Sequence, residues 1–327
     1  MGVRKQRLWR FEAGINVPAF FILVGVATMS SEDSQYRLGV IYVGLSALAW
    51  SLSGLFMRAI STDLPTIIFL RGLVSGTATL LFFLYLERGR AWPILKAIRW
   101  PTILATLFSA GSMISGLGSI YYTSVADAMV IYATVPFVTA GVAFLVIGEK
   151  ASRSTLIASS VAFAGVAIML TDAGGGGSML GKGLAGIMTL TVAALAVIMR
   201  QHRNVPMLPA MAFSAYLCSA VTSFFASPGT ATGQDMTLIL LFGIMQNALG
   251  LILYTFGARR IPAADASLII ALEVPLTPLW VWMFMGEIPP QATLIGGPIV
   301  LAALFGHIFV EFRRSRGLPP AASQQSL

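Results

Sequence analysis

Long apolar runs separated by short polar connections dominate the chain from residue 38 onward. A helix that spans a bilayer needs about 20 predominantly apolar residues, whereas the strands of a membrane barrel are about ten residues long and alternate strictly. The runs have the length and the lack of alternation that helices require. The pattern predicts an all-α integral membrane protein with ten transmembrane helices, at about 38–60, 64–86, 102–122, 126–147, 155–172, 183–199, 208–226, 236–257, 263–285 and 292–311.

The composition excludes a water-soluble globule. Hydrophobic residues make up 57% of the chain, charged residues only 10%, and the mean hydropathy is +0.83. Ordinary soluble domains contain about 25% charged residues. The single cysteine, Cys218, also excludes an intramolecular disulfide, a four-cysteine zinc site and CxxC redox chemistry.

Basic residues are concentrated in alternate connections between the runs. With the N-terminus in the cytoplasm, 18 of the 21 Lys and Arg residues lie on the cytoplasmic side, Lys182 lies in an outer loop, and Arg58 and Arg71 lie within spans. This bias predicts a multi-pass protein of the bacterial inner membrane with both termini cytoplasmic. Because the basic residues are spread over six pieces and form no single face, they argue against a nucleic-acid partner.

The N-terminal residues precede the predicted bundle. Residues 1–10 are basic and residues 15–29 are apolar, as in a signal peptide or an uncleaved anchor. As a span this stretch is short, and Asn16 and Pro18 weaken it. We interpret residues 1–37 as a cytoplasmic or interfacial segment, in which residues 1–28 are an interfacial piece or a translation-start extension.

Sequence motifs recur in the two halves of the chain. TSVADA at 123–128 aligns with IPAADA at 261–266 at an offset of 138 residues, and IGEK at 147–150 aligns with MGEI at 285–288 at the same offset. A proline recurs between these motifs, Pro136 in the first half and Pro275 in the second. Met57 and Arg58 of the first span likewise fall on Met199 and Arg200 of the sixth at an offset of 142.

Each half contains five predicted spans, and an odd number turns the second half over in the membrane. The chain is therefore predicted to form two inverted five-helix repeats, an arrangement common in transporters. The predicted organisation is an N-terminal segment at 1–37, a first repeat at 38–172, a Gly-rich periplasmic linker at 173–182, a second repeat at 183–311 and a cytoplasmic tail at 312–327.

The repeated motifs resemble those of the drug/metabolite transporter superfamily, specifically its EamA type of ten-helix transporters with two tandem units. The matching elements are the Pro-containing fourth and ninth spans, which ADA introduces at 126–128 and 264–266 and Gly-Glu closes at 148–149 and 286–287. Arg71 resembles an Arg that many first units carry, whereas the second unit has Ala215. The resemblance implies export or exchange of small metabolites, with amino-acid exporters as the most similar branch, and a site between spans 1–4 and 6–9.

Polar and aromatic residues inside the spans are the candidate site residues. Glu273 lies near the middle of span 9, where a carboxylate usually faces a cavity or a partner. It is expected either to bind substrate or a proton, or to form a structural ion pair with Arg71, whose planar fork equally suits a substrate carboxylate. The other cavity candidates, for which helix packing is the alternative, are Trp50, Ser53, Ser112, Tyr132, Gln246, Asn247 and Tyr254.

Prolines in two spans are candidate hinges, because proline frees the carbonyl four residues earlier and bends a helix. These are Pro136 and Pro275. Four acidic residues, Asp127, Asp265, Glu149 and Glu287, fall at span ends, where hydration or capping is expected.

The sequence contains no motif that indicates enzyme activity. GxxxxGK occurs at 176–182, but Gly183 replaces the required Ser or Thr and no strand precedes it, so a flexible linker is predicted and ATP coupling is not. No metal-ligand spacing and no Ser/His/Asp set occur. We therefore predict no catalytic residue, metal or cofactor.

These observations predict a secondary transporter that moves small metabolites, expected to be amino acids, out across the inner membrane by alternating access. Its other partner is the lipid bilayer, and nothing in the pattern indicates an oligomeric state. Two alternatives stay open. A proton-coupled drug or cation antiporter is favoured if Glu273 titrates during transport, and a channel-like facilitator is favoured if flux fails to saturate.

Overall fold

A computed structural model describes residues 31–96, 98–171, 178–202 and 207–317. This part of the chain consists of helices joined by short turns and contains no strand. The proposed extension at 1–28, the first half of the Gly-rich linker and the end of the cytoplasmic tail lie outside the described residues.

Ten helical units, numbered α1 to α10 in chain order, coincide with the ten predicted runs. Eight of them are long and apolar enough to cross a membrane, and a ninth, α4, qualifies when its two bent parts are taken together. The remaining unit, α7, is a shorter apolar helix. The bounds are α1 Ser31–Ser51 and Ser53–Ala59, α2 Leu64–Glu87, α3 Trp100–Tyr122, α4 Val125–Tyr132 and Val135–Ile147, α5 Arg153–Thr171, α6 Met179–Gln201, α7 Met207–Thr222, α8 Gly233–Leu241, Phe242–Leu249 and Gly250–Gly257, α9 Ala263–Ile270 and Glu273–Met285, and α10 Gln291–Gly317.

The start of α6 differs from the prediction. The hydroxyl of Ser178 caps this helix by accepting a hydrogen bond from the Gly181 N–H at 3.1 Å, so the helix begins at Met179 and not at residue 183. Lys182 is therefore inside α6 and buried, and its assignment to an outer loop was wrong. A hydropathy pattern ends a span at a charged residue, because it does not reveal the partner that allows the charge to be buried.

The fourth and ninth helices are both interrupted near their repeated prolines. In α4 the axis bends by 41° between Tyr132 and Val135, just before Pro136. In α9 the break separates Ile270 from Glu273, just before Pro275. The two breaks leave backbone and side chains of both repeats free to line a common space.

Each of the main helix pairs joins one helix of the first half to one helix of the second half. The most extensive contacts join α3 with α6, α5 with α10, α2 with α7 and α1 with α8, and the two broken helices α4 and α9 also touch. Replacing each helix by its counterpart five places along the chain reproduces this set of contacts. The two halves therefore pack around a pseudo-twofold relation.

The first helix of each half runs in the opposite direction to the other. At the end of α1, Arg58 donates hydrogen bonds to the carbonyls of Ile120 and Thr123, where α3 ends. Ser178, which precedes α6, donates to the Tyr122 carbonyl at that same place. Since α6 starts at the end of the bundle where α1 stops, its last residues lie at the opposite end.

Candidate functional site

A cavity of about 410 Å³ lies where the breaks in α4 and α9 face each other, with α8 and α10 completing its wall. Most of its lining is aliphatic, from residues such as Val274, Leu304 and Ile308. The predicted site residues in the wall are Tyr132, Tyr254, Glu273 and the hinge candidate Pro136, and two residues not predicted there, Ser267 and His307, join them.

Glu273 supplies the carboxylate of this cavity. It is the first residue of the second part of α9, so the break positions its side chain at the cavity wall. Within the described part of the chain, no side chain lies at hydrogen-bond or ion-pair distance from this carboxylate. A carboxylate surrounded by apolar groups is costly unless it is paired, so the cavity is suited to a ligand that carries a positive charge.

Aromatic residues form one side of the site. The rings of Trp50 and Tyr254 lie 5.5 Å apart, so Trp50 supports the tyrosine that lines the cavity. Trp50 fits against α8 because Gly250 has no side chain, and any Cβ there would collide with the indole ring. Aromatic faces attract organic cations, which complements the carboxylate of Glu273.

Arg71 lies outside the cavity wall and is held by α8. Its Nη2 donates to the Gln246 amide oxygen at 2.8 Å, and its guanidinium stacks 4.4 Å from the centre of the Phe242 ring. Among the described residues, Arg71 contacts neither Glu273 nor any other carboxylate, so the structural ion pair considered from the sequence is not formed. Gln246 also donates to the Trp50 carbonyl at 3.4 Å, which connects Arg71 to the aromatic side of the site.

A π-helical segment at Phe242–Leu249 positions this group. Segments of this kind occur frequently at functional sites. Its Gly243 lets α8 approach α2 closely, since a Cβ there would lie 2.8 Å from a methyl group of Val74. The sequence shows the polar pair Gln246 and Asn247 but not the widened helix turn that directs Gln246 to Arg71.

Four other predicted residues lie away from the cavity wall. Ser53 is buried at the break in α1, and Ser112 donates to the Ser109 carbonyl of its own helix at 2.8 Å. Asn247 is partly buried in the π segment, and Pro275 follows the break in α9. Of the eleven predicted site and hinge residues, four thus line the cavity, and Trp50 contacts one of them.

Hydration or capping was expected for the acidic residues at span ends, and hydration is excluded for Asp127 and Asp265, which lie buried in the first turns of their helices. Asp127 is fully buried, accepts a hydrogen bond from Thr293 and pairs with Lys182 at 3.7 Å. The Lys182 ammonium also donates to the Met169 carbonyl at 3.0 Å. Asp265 is buried and accepts a hydrogen bond from Tyr36 at 2.7 Å. Each helix start is thereby attached to a neighbouring helix.

A second cavity, of about 350 Å³, adjoins the first on the side of one end of the bundle. Pro136 and His307 line both spaces, and Glu149 and Arg200 line the second one at the end of α6. The second cavity therefore lies between the central cavity and the bundle end that carries Arg200.

A family model and two relatives connect the chain with membrane transporters. A family model described as the EamA-like transporter family matches residues 37–171 and 179–309. A probable terminal-alkyne amino-acid exporter of Streptantibioticus cattleyicolor is 23% identical over 219 residues, 61% of this chain and 69% of that protein. The uncharacterized transporter YojE of Bacillus subtilis is 24% identical over 275 residues, 79% of this chain and 89% of that protein.

The fold also occurs among solved structures. A crystal structure described only as that of a protein superimposes with a TM-score of 0.60 and 17% sequence identity, covering 86% of this chain and 99% of that one. At this identity the likeness concerns the fold alone.

Proposed function

The chain belongs to the EamA-like transporter family, and from this premise we propose that it is a secondary transporter that exports small amine-bearing metabolites, amino acids first among them, by alternating access. Membership of this family also confirms the resemblance to drug/metabolite transporters. The observation that carries the proposal is the cavity at the two helix breaks, with the carboxylate of Glu273 in an otherwise largely apolar wall.

The chemistry of the cavity supports an amine as the part of the substrate that is recognised. The Glu273 carboxylate attracts an ammonium group, and Tyr132 and Tyr254 offer aromatic surface beside it. The aliphatic lining suits the side chain of a neutral amino acid. The relative from Streptantibioticus cattleyicolor, whose name includes an amino-acid exporter, supports the same substrate class.

The pseudo-twofold packing supports alternating access. The pairs of helices map onto themselves when the halves are exchanged, and α6 starts where α1 ends. Inverted repeats give a transporter two related states, because each half adopts in turn the conformation of the other. The cavity lies between the broken helices of both halves, which is the place that such an exchange exposes alternately.

A second candidate function is antiport of organic cations against protons. The observation that favours it is the placement of the charged groups: Glu273 lines the cavity without a described partner, whereas Arg71 is held away by Gln246 and Phe242. A monocationic substrate needs only the carboxylate. A zwitterionic amino acid also needs a partner for its own carboxylate, and Arg71, whose Nε has no hydrogen-bond partner among the described residues, does not line the cavity.

Uptake by the purified protein in proteoliposomes tests both candidates. We expect labelled neutral amino acids to enter saturably and to be competed by other amino acids but not by permanent organic cations. Competition by tetraalkylammonium ions together with proton release would favour the antiporter. Inhibition by neither class would contradict the proposed substrate chemistry.

The orientation of the bundle yields a labelling prediction. In a Cys218→Ala background, Met179→Cys at the start of α6 is expected to react with an impermeant thiol reagent applied to intact cells, because this residue is 59% exposed and lies at the predicted periplasmic end. Gly89→Cys, after α2, is expected to react only in inverted vesicles. The reverse labelling pattern would contradict the positive-inside assignment.

A further inference from the structure

Two Arg–Glu ion pairs occupy equivalent places in the two repeats. Arg58 at the end of α1 pairs with Glu287 after α9 at 2.5 Å, and Arg200 at the end of α6 pairs with Glu149 after α4 at 2.9 Å. The two arginines are related by the 142-residue offset and the two glutamates by the 138-residue offset of the internal repeat. Each pair thus joins the first helix of one half to the broken helix of the other half.

The two pairs differ sharply in how firmly they are held. Arg58 and Glu287 are 24% and 26% exposed and form two hydrogen bonds, and Arg58 also donates to the carbonyls of Ile120 and Thr123. Glu287 in addition accepts a hydrogen bond from the Val125 N–H at 2.9 Å. This arrangement connects α1, α3, α4 and α9 at one end of the bundle.

The equivalent pair at the other end is loose. Arg200 and Glu149 are 59% and 43% exposed and share one hydrogen bond. An exposed ion pair of this kind contributes little to stability. The second cavity, which shares Pro136 and His307 with the central one, reaches this loose pair. A third cavity, of about 310 Å³, is lined by Arg58 and Glu287 of the firm pair but shares no lining residue with the central cavity. The firm pair and the cavity that adjoins the central one therefore lie at opposite ends of the molecule.

We propose that these pairs are a two-ended latch for the transport cycle: the closed Arg58–Glu287 pair seals the cavity at its end in the described state, and the Arg200–Glu149 pair takes over that role in the opposite state. The proposal rests on alternating access in the proposed function. It assigns positioning roles to four charged residues that do not line the central cavity.

The internal repeat specifies what the closed form of the second pair contacts. Shifting Ile120, Thr123 and Val125 by the 138-residue offset leads to Ala258, Ile261 and Ala263, at the end of α8 and the start of α9. In the opposite state Arg200 is expected to donate to the carbonyls of Ala258 and Ile261. Glu149 is expected to accept from the Ala263 N–H, as Glu287 now accepts from Val125.

Thiol labelling of the cavity tests the latch without requiring a known substrate. The reporter is Ala271→Cys, a cavity-lining position, in the full chain with Cys218→Ala. An impermeant reagent applied to intact cells reaches the Arg58 end, and the same reagent applied to inverted vesicles reaches the Arg200 end. We expect labelling to be at least about five-fold faster in inverted vesicles.

The two matched substitutions should act in opposite directions. Glu287→Gln is expected to raise labelling from the Arg58 end several-fold, and Glu149→Gln to lower it, because each removes the latch of one state. Arg58→Lys, which keeps the charge but loses the hydrogen bonds to the Ile120 and Thr123 carbonyls, is expected to act as Glu287→Gln does but less strongly. It provides a second route if Glu287→Gln folds poorly.

Equal effects of Glu287→Gln and Glu149→Gln, or none of Glu287→Gln and Arg58→Lys in protein that inserts normally, would overturn the latch. A bundle that labels equally from both ends in every variant would contradict alternating access itself. A labelling pattern as expected, combined with failure of the uptake panel, would leave the latch standing and refute only the proposed substrate class.

Discussion

Glu273→Gln is expected to weaken substrate binding at least about 30-fold. Gln keeps the size of the side chain but removes the charge that the cavity offers to an ammonium group. Removing one partner of a buried charge pair costs about 2–5 kcal/mol, and each 1.4 kcal/mol corresponds to a factor of about ten. The measurement is the concentration for half-maximal uptake of a neutral amino acid into proteoliposomes.

Glu87→Gln is the matched control for this experiment. It makes the same chemical change at the end of α2, where Glu87 does not line the cavity. We expect the half-saturation concentration of this control to stay within about two-fold of wild type. Equal uptake by Glu273→Gln and wild type would show that the cavity carboxylate does not bind the amine.

Lys182→Met is expected to lower the free energy of unfolding by about 3–5 kcal/mol, because it leaves the Asp127 carboxylate buried without its cation. Lys182 and Asp127 have only 3% and 0% of their side chains exposed, so water does not replace the lost partner. The measurement is chemical unfolding of the purified protein in mixed micelles.

The double variant Lys182→Met with Asp127→Asn separates the charge from the packing. Asn retains an oxygen that accepts from Thr293, and no charge is left unpaired. We expect this variant to recover most of the lost stability, since replacing both members of a buried pair is often nearly neutral. If Lys182→Met alone is as stable as wild type, the pair does not hold α6 against α4.

Hydropathy located the helices because the bilayer requires each span to be long and apolar. It placed the start of α6 wrongly because the burial of Lys182 depends on Asp127, which lies in another helix. The local sequence around Lys182 carries no sign of that partner. The same limit explains why the sequence left hydration open for Asp127 and Asp265.

The parts of the candidate site that depend on neighbouring residues in the sequence were predictable. Pro136 is one of the two repeated prolines, and Glu273 lies two residues before the other, Pro275. Helix breaks were therefore expected near both, and the cavity lies at these breaks. The position of Arg71 was not predictable, because its partner Gln246 is directed by a π segment in α8. The pairing of side chains across helices depends on how the whole bundle packs. The periodicity of apolar residues along the sequence gives no information about that packing.

Trans-stimulation in proteoliposomes tests the central claim, alternating access by a carrier, most directly. Vesicles are preloaded with the unlabelled amino acid that competes best in the uptake panel, and the initial uptake of its labelled form is measured over a range of concentrations. The account predicts saturable uptake that is faster into preloaded vesicles than into empty ones. Uptake that rises linearly with concentration and is indifferent to preloading would contradict it and identify a channel-like facilitator.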